Sequence, residues 1–350
     1  MTEFCIETYF NNLEENADTI NVSCVSSNPL NYLPDVTRFK NLRILNCANN
    51  QLTKLPRLNT NIEHLYCYNN RLTELPTLNK NLQILNCGNN QLTELPTLNT
   101  NLLFLYCHNN QLTFLPPLNE NLQTLSCDNN LLVALPPLNL NLQQLYCHNN
   151  QLVTLPSLNA NLQLLCCHDN QLTELPSLNV NLQILNCSNN QLTFLPTLNT
   201  NIEDLYCHNN QLTNLPTLNV NLQILFCTNN QLVTLPTLNK NLQQLYCSNN
   251  QLTKLPTLNE NLLLLTYDYN PIYEIINSDD LFIINTKLQI LHQFCHLYYC
   301  LKFKTQFRDL LWEKIREPKI IQNYHPSYLK QLLTDENDND DLDMVLDNWL

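Results

Sequence analysis

The stretch NLQILNCSNNQLTFLPTLNT, residues 181–200, decides the fold. Its 20-residue pattern recurs from Asn41 to Glu260, eleven times and without an insertion. A fixed period of this length marks a solenoid, because a unit this small cannot bury a core alone and must stack on its neighbours. In the first copy Leu42, Leu45, Cys47, Asn50 and Leu52 fill a Leu-x-x-Leu-x-Cys-x-x-Asn-x-Leu frame. Residues 44–48 alternate as a short strand does, with Leu45 and Cys47 inward and Ile44, Asn46 and Ala48 outward. Stacked copies then form a parallel sheet with rungs about 4.8 Å apart. Leu55 and Leu58 close the core from the other side, and Pro56 between them favours an extended, polyproline-like return.

The pattern decays at both ends, as a terminal rung that would expose its core must. Residues 20–34, INVSCVSSNPLNYLP, read as a worn copy with Val25, Asn28, Leu30, Leu33 and Pro34 in matching columns. Residues 261–275, NLLLLTYDYNPIYEI, read as a last degraded one. The organisation expected is an N-terminal cap over 1–19, a solenoid over 20–277 and an α-helical tail with an acidic stretch over 278–350.

These columns resemble the leucine-rich-repeat family, and the 20-residue unit with Leu-Pro returns is similar to its shortest class. That class is found in secreted bacterial effectors and in related viral and amoebal proteins. The resemblance covers about residues 20–277. It implies a leucine-rich-repeat solenoid with a concave parallel β-sheet that binds protein on the concave face; the Pro56 column adds extended convex segments, and helical spacing after Asn277 adds a small α-helical C-terminal cap. The chain departs from the bacterial pattern at Cys47, where an aliphatic residue is usual, at Asn59, where a second Pro often falls, and at Asn61, where Gly is common.

The composition holds one glycine, Gly88, against 18 prolines. Asn is the non-glycine residue that best tolerates positive φ, so the Asn-rich turns, the Asn61 column among them, are expected to supply left-handed backbone. Asn50 and its equivalents through Asn250 are read as a structural ladder, each amide bridging backbone groups of adjacent rungs. Cys47 and its ten equivalents through Cys247 occupy an inward column, and eleven of 16 cysteines are thereby explained as buried, reduced thiols.

The net charge is −13, yet residues 41–260 carry only seven basic and ten acidic side chains. With no basic patch, neither nucleic acid nor an anionic membrane is an expected partner. The N-terminus lacks a basic start and an apolar run, so a signal peptide is not read there and a cytoplasmic location is expected, host cytoplasm if the chain is viral.

Function is expected on the outward strand columns, which alone vary. Tyr66, Tyr68, Phe104, Tyr106, His108, Tyr146, His148, His168, Tyr206, His208, Phe226 and Tyr246 would line one concave surface. Aromatic side chains give contact area with few rotors to freeze, which suits a protein or peptide partner. His148 and His168 stand on adjacent rungs, close enough for a shared metal or a pH-sensitive pair, but they are read as solvated surface histidines. No nucleophile–base arrangement with a pocket is evident, so no enzyme, cofactor or metal is expected.

In the tail, Ser278, Asp279 and Asp280 mark a helix start, and residues 281–304 read as a mostly buried helix. His292, Cys295, His296 and Cys300 all fall on that helix, whereas a tetrahedral zinc site normally draws on two elements. The run DENDNDDLD, 335–343, resembles a calcium loop in composition only, with Asp340 where Gly is required. Bacterial effectors with similar repeats often carry a larger ubiquitin-ligase domain with a catalytic cysteine; Cys295 and Cys300 lack that context, and the activity is not carried over. The ending of the tail looks like C-terminal segments of giant-virus proteins. The alternatives to a binding module are a ubiquitin-ligation adaptor acting through the tail and a structural or virion-associated protein.

Overall fold

The structure, a computed structural model, describes residues 5–23 and 29–294. The chain divides into two compact units, Met1–Asn285 and Thr286–Leu350. In the first, thirteen three-residue strands pair in sequence order into one parallel sheet, from β1 (Thr19–Asn21) and β2 (Ile44–Asn46) to β13 (Leu264–Thr266). From β2 onward each residue pairs with the one twenty places later, as Leu145 does with Leu165. The parallel-sheet solenoid expected from the period is the fold.

Packing explains why each column holds its residue. Leu42, Leu45, Cys47 and Leu52 are fully buried, and so are their equivalents through rung after rung. Leu55 and Leu58 are buried opposite them. All eleven column cysteines are buried free thiols. Burial pushes Cys47, Cys87, Cys187 and Cys227 up to about 12, so no thiolate is available at neutral pH. Cys127, Cys187 and Cys247 point Sγ at the strand carbonyl of the next rung, at 3.3–3.5 Å.

The inner asparagine ladder is continuous. Asn70 Oδ1 accepts from Leu52 N at 3.0 Å, while its Nδ2 donates to Cys47 O, Cys67 O and Tyr68 O. The amide thus ties the turn of its own rung to the backbone of the rung before it, where peptide groups are out of reach of water.

Left-handed backbone falls elsewhere than expected. Within the stack the positive φ angles, 51–56°, belong to the Asn49 column, not to the Asn61 column, and the one other, 44° at Asn277, follows the last rung. The chain must reverse immediately after the strand, and the residue just before the buried ladder Asn makes that reversal. Asp169 and Tyr269 take the same conformation where Asn is replaced. The Asn61 column instead forms an outer ladder, its Nδ2 donating to the carbonyl 21 residues earlier, as Asn61 does to Lys40 O and Asn161 to Leu140 O. Asn59 is a third ladder, donating to Phe39 O. In four rungs of that column, Asn99, Asn119, Asn139 and Asn179, the buried Oδ1 has no partner within the protein.

The ends differ from the interior. In the N-terminal rung Ile20 pairs with Leu45, and Val22, not Val25, takes the cysteine column: Val22 is fully buried and its carbonyl receives Asn50 Nδ2. Val25 and Asn28 lie outside the described residues. Leu30 does match the Leu52 column, since its N–H reaches Asn50 Oδ1 and its carbonyl receives Gln51 N. Three extra residues therefore separate the strand from the turn in this rung, which the apolar Val25 masks in the sequence. Helix α1 (Ile6–Asn12) buries Ile6 and Phe10, and Phe10 meets Phe39 edge-on at 5.9 Å.

At the other end Tyr267 fills the cysteine column, 1% exposed, with its hydroxyl donating to Ser278 O at 2.6 Å. A short helix α2 (Pro271–Ile276), opened by Pro at its first turn, replaces the extended return. Residues 281–285 begin a further helix, where Asp280 Oδ1 accepts from Phe282 N and Ile283 N. Phe282 is 80% exposed there, and only Ile284 is buried. In the second unit residues 286–294 are helical, with Leu288 buried and Ile290 and Phe294 exposed. The helix is apolar on most sides but buries one narrow stripe, so the mostly buried helix expected over 281–304 is not what residues 281–294 form. Cys295, His296, Cys300 and the acidic run lie outside the described residues.

Candidate functional site

From β2 onward each strand sends its central Leu into the core, which leaves three outward columns on the open side of the sheet. Phe104 stands in the Ile44 column. Tyr66, Tyr106, Tyr146, Tyr206, Phe226 and Tyr246 stand in the Asn46 column, at the last strand position. Tyr68, His108, His148, His168 and His208 follow two residues later in the Ala48 column. All twelve are half-buried.

The surface is less uniform than its repeat suggests. Toward the C-terminal rungs it is aromatic: Phe226 lies 6.4 Å from Tyr206 and 4.5 Å from Tyr246, and the His208 ring meets Phe226 edge-on at 4.5 Å. Burial lowers the His208 pKa and raises that of Tyr206. Near the N-terminal rungs His64 lies against Tyr66 at 6.4 Å.

The middle is polar and titratable. The imidazoles of His148 and His168 stack at 4.2 Å, their planes 17° apart. His148 Nε2 faces Asp128 Oδ2 at 3.5 Å, and His168 Nδ1 pairs with Asp169 Oδ2 at 2.6 Å. Asp128 is buried and is held by Ser126 Oγ and Asn129 Nδ2, each donating at 2.8 Å. Burial lowers the His148 pKa, against the opposing pull of Asp128. Cys166, in the Tyr146 column, is pushed up to about 11 by burial and by Asp128. These histidines are therefore packed side chains and not the solvated ones expected.

Sequence reasoning missed Ser126, Asp128 and Cys166 as members of this patch, because it selected aromatic and imidazole side chains and these three are neither. Asp128 could have been found as the only carboxylate in the Ala48 column over residues 41–260. Gly88 also gains a reason: a Cβ there would lie 2.6 Å from the His108 ring, which occupies the space instead.

The arrangement is poor for catalysis. Ser126 Oγ lies 3.2 Å from His108 Nδ1, but its proton goes to Asp128, so His108 is not placed to withdraw it. Stacked imidazoles keep their nitrogen lone pairs in separate parallel planes, so one cation cannot sit in both. Among the described residues no group of three or more His, Cys, Asp or Glu is placed to hold a metal ion. No described helix is long and apolar enough to cross a membrane.

Known proteins share this architecture. The family pattern described as Leucine Rich repeats (2 copies) matches residues 60–100. YopM, a leucine-rich effector protein from Yersinia pestis, is 33% identical over 74% of this chain and 79% of its own, with a TM-score of 0.64. The chain belongs to the leucine-rich-repeat family. YopM from Yersinia enterocolitica WA-314 is similar at 35% identity and a TM-score of 0.72; this chain spans 57% of that protein's length. The leucine-rich-repeat protein LIC12759 from Leptospira interrogans is 28% identical, over 72% of this chain and 81% of its own, with a TM-score of 0.58. No curated protein sequence gives a significant match. Leucine-rich-repeat proteins are typically protein–protein interaction modules and generally not enzymes.

Proposed function

We propose that the open side of the sheet, the concave face in this family, binds a protein or peptide partner without catalysing a reaction, in the cytoplasm. The observation that carries this reading is the run Tyr206, Phe226 and Tyr246, three in-register aromatic rings left with an edge in solvent beside His208. Packed rings of this kind lose little side-chain entropy on binding and are typical interface anchors. The imidazole and carboxylate groups around His148 add directional hydrogen bonding at the centre of the same surface. Buried, reduced thiols suit the proposed location.

The test is affinity capture with the full chain and with the triple variant Tyr206→Ala, Phe226→Ala, Tyr246→Ala. Capture should weaken at least about tenfold with the melting transition kept, because truncated anchors typically cost more than a factor of ten together. Unchanged capture by a folded variant moves the site off this face. The adaptor reading rests on the tail, 278–350, of which residues 278–294 are described, and no described residue favours it.

A further inference from the structure

On the flank that precedes the strands, the column beginning at Thr60 is exposed in every rung and polar in most: Thr60, Lys80, Thr100 and Glu120 on one side, Lys240 and Glu260 on the other. Between Glu120 and Lys240 it turns apolar. Leu140 is 76% exposed, Val180 67% and Val220 65%, with Ala160 and Thr200 in the rungs between. The carbonyls of all five residues already accept from the outer Asn ladder, through Asn161, Asn181, Asn201, Asn221 and Asn241. What the row presents is therefore four apolar side chains and one threonine, on carbonyls that each already accept a hydrogen bond. At one rung per 4.8 Å it runs for roughly 20 Å.

We propose that this row is a self-association surface, and that a second copy of this chain covers it antiparallel, about a twofold axis through the Val180 rung. The charge pattern selects this occupant and orientation. Counted in rungs, Glu120 stands three before Val180 and Lys240 three after it. Reversing the row about Val180 sets Glu120 of one copy against Lys240 of the other, twice over, and Leu140 against Val220. Glu260 then meets Thr100, so no like charges oppose. The parallel arrangement would put Glu120 on Glu120 and Lys240 on Lys240, which costs energy on both sides. A surface that complements itself under a twofold operation closes at a dimer. The row is narrow beside the area of a stable dimer, so association is weak and the aromatic face stays open to its own partner.

The experiment is sedimentation velocity on the full chain over a concentration series up to about 1 mM, where weak dimers are populated. The wild type should rise toward twice its monomer mass. Val180→Lys should hold the chain monomeric, since two lysines would meet at the axis; Lys80 and Lys240 occupy the same column, so the rung accepts that side chain. Glu120→Lys should weaken dimerisation at least about tenfold, and Glu120→Lys with Lys240→Glu should restore it. A wild type monomeric throughout overturns the proposal. So does a dimer indifferent to Val180→Lys, or a double charge reversal that fails to rescue.

Discussion

His148 and His168 stack face to face across neighbouring rungs, their ring centroids 4.2 Å apart, and His148 Nδ1 is buried with no partner within the protein. Protonating either ring places positive charge against the other. Asp169 holds His168, while Asp128 faces His148 at the longer distance of 3.5 Å.

Stability should therefore fall as pH drops below about 6.5, the ordinary imidazole value. Burial, with His168 and His108 adding to it, lowers the folded pKa of His148 below that of the unfolded chain, against the raising influence of Asp128 and Asp169. Between the two values the unfolded state binds the proton and the folded state does not, so stability held above the unfolded pKa is lost as pH falls through the folded one. His208 works in the same direction. Urea midpoints at pH 7.5 and 5.5 should differ less for His148→Gln than for the wild type. Equal differences would remove His148 from the effect.

The inner ladder should be the costliest polar element to break. Asn110 Oδ1 accepts from Leu92 N, and its Nδ2 donates to Cys87 O, Cys107 O and His108 O. Asn110→Ala leaves these backbone groups unsatisfied, and chemical denaturation should show a loss of about 1–3 kcal/mol.

The left-handed column predicts a contrast at one exposed position. Asn109 has φ 52° and its side chain faces solvent. Asn109→Val should destabilise by about 1–2 kcal/mol, while Asn109→Gly should stay near wild type, since glycine alone has no Cβ to strain. Equal melting temperatures for the two variants would contradict this.

Native-state alkylation should separate the cysteines sharply. Cys5 is exposed and should be modified first, Cys166 slowly, and the eleven column cysteines only after unfolding, because burial raises their pKa and blocks access. Mass mapping after a short pulse of iodoacetamide reads this directly; early labelling of Cys127 or Cys147 would mean the stack opens.

Sequence legibility followed periodicity. The Leu and Cys columns and the Asn50 ladder were readable because one residue type at one phase has one role. The Asn49, Asn59 and Asn61 columns were not, since Asn serves a positive-φ turn as well as it serves a ladder, and only the geometry distinguishes the two. Val22 and Val25 fitted the same column equally well on hydrophobicity, so the three-residue shift was invisible. On the candidate surface the residues were readable but their grouping was not. Asp128 organises the central patch through contacts with Ser126, Asn129 and His148 that no period records.

Because every ladder asparagine fastens to the rung before it in the same way, as Asn70 does to Leu52, neighbouring rungs are interchangeable. Unequal crossing-over within the gene could remove or duplicate a whole interior unit, and the joined ends would still meet in register. The terminal rungs have no such freedom, since Val22 with its three-residue shift and Tyr267 with its helix fit nowhere else in the stack. Length, and with it the extent of the aromatic face, is thus the property such a lineage alters most easily, while its two ends stay fixed.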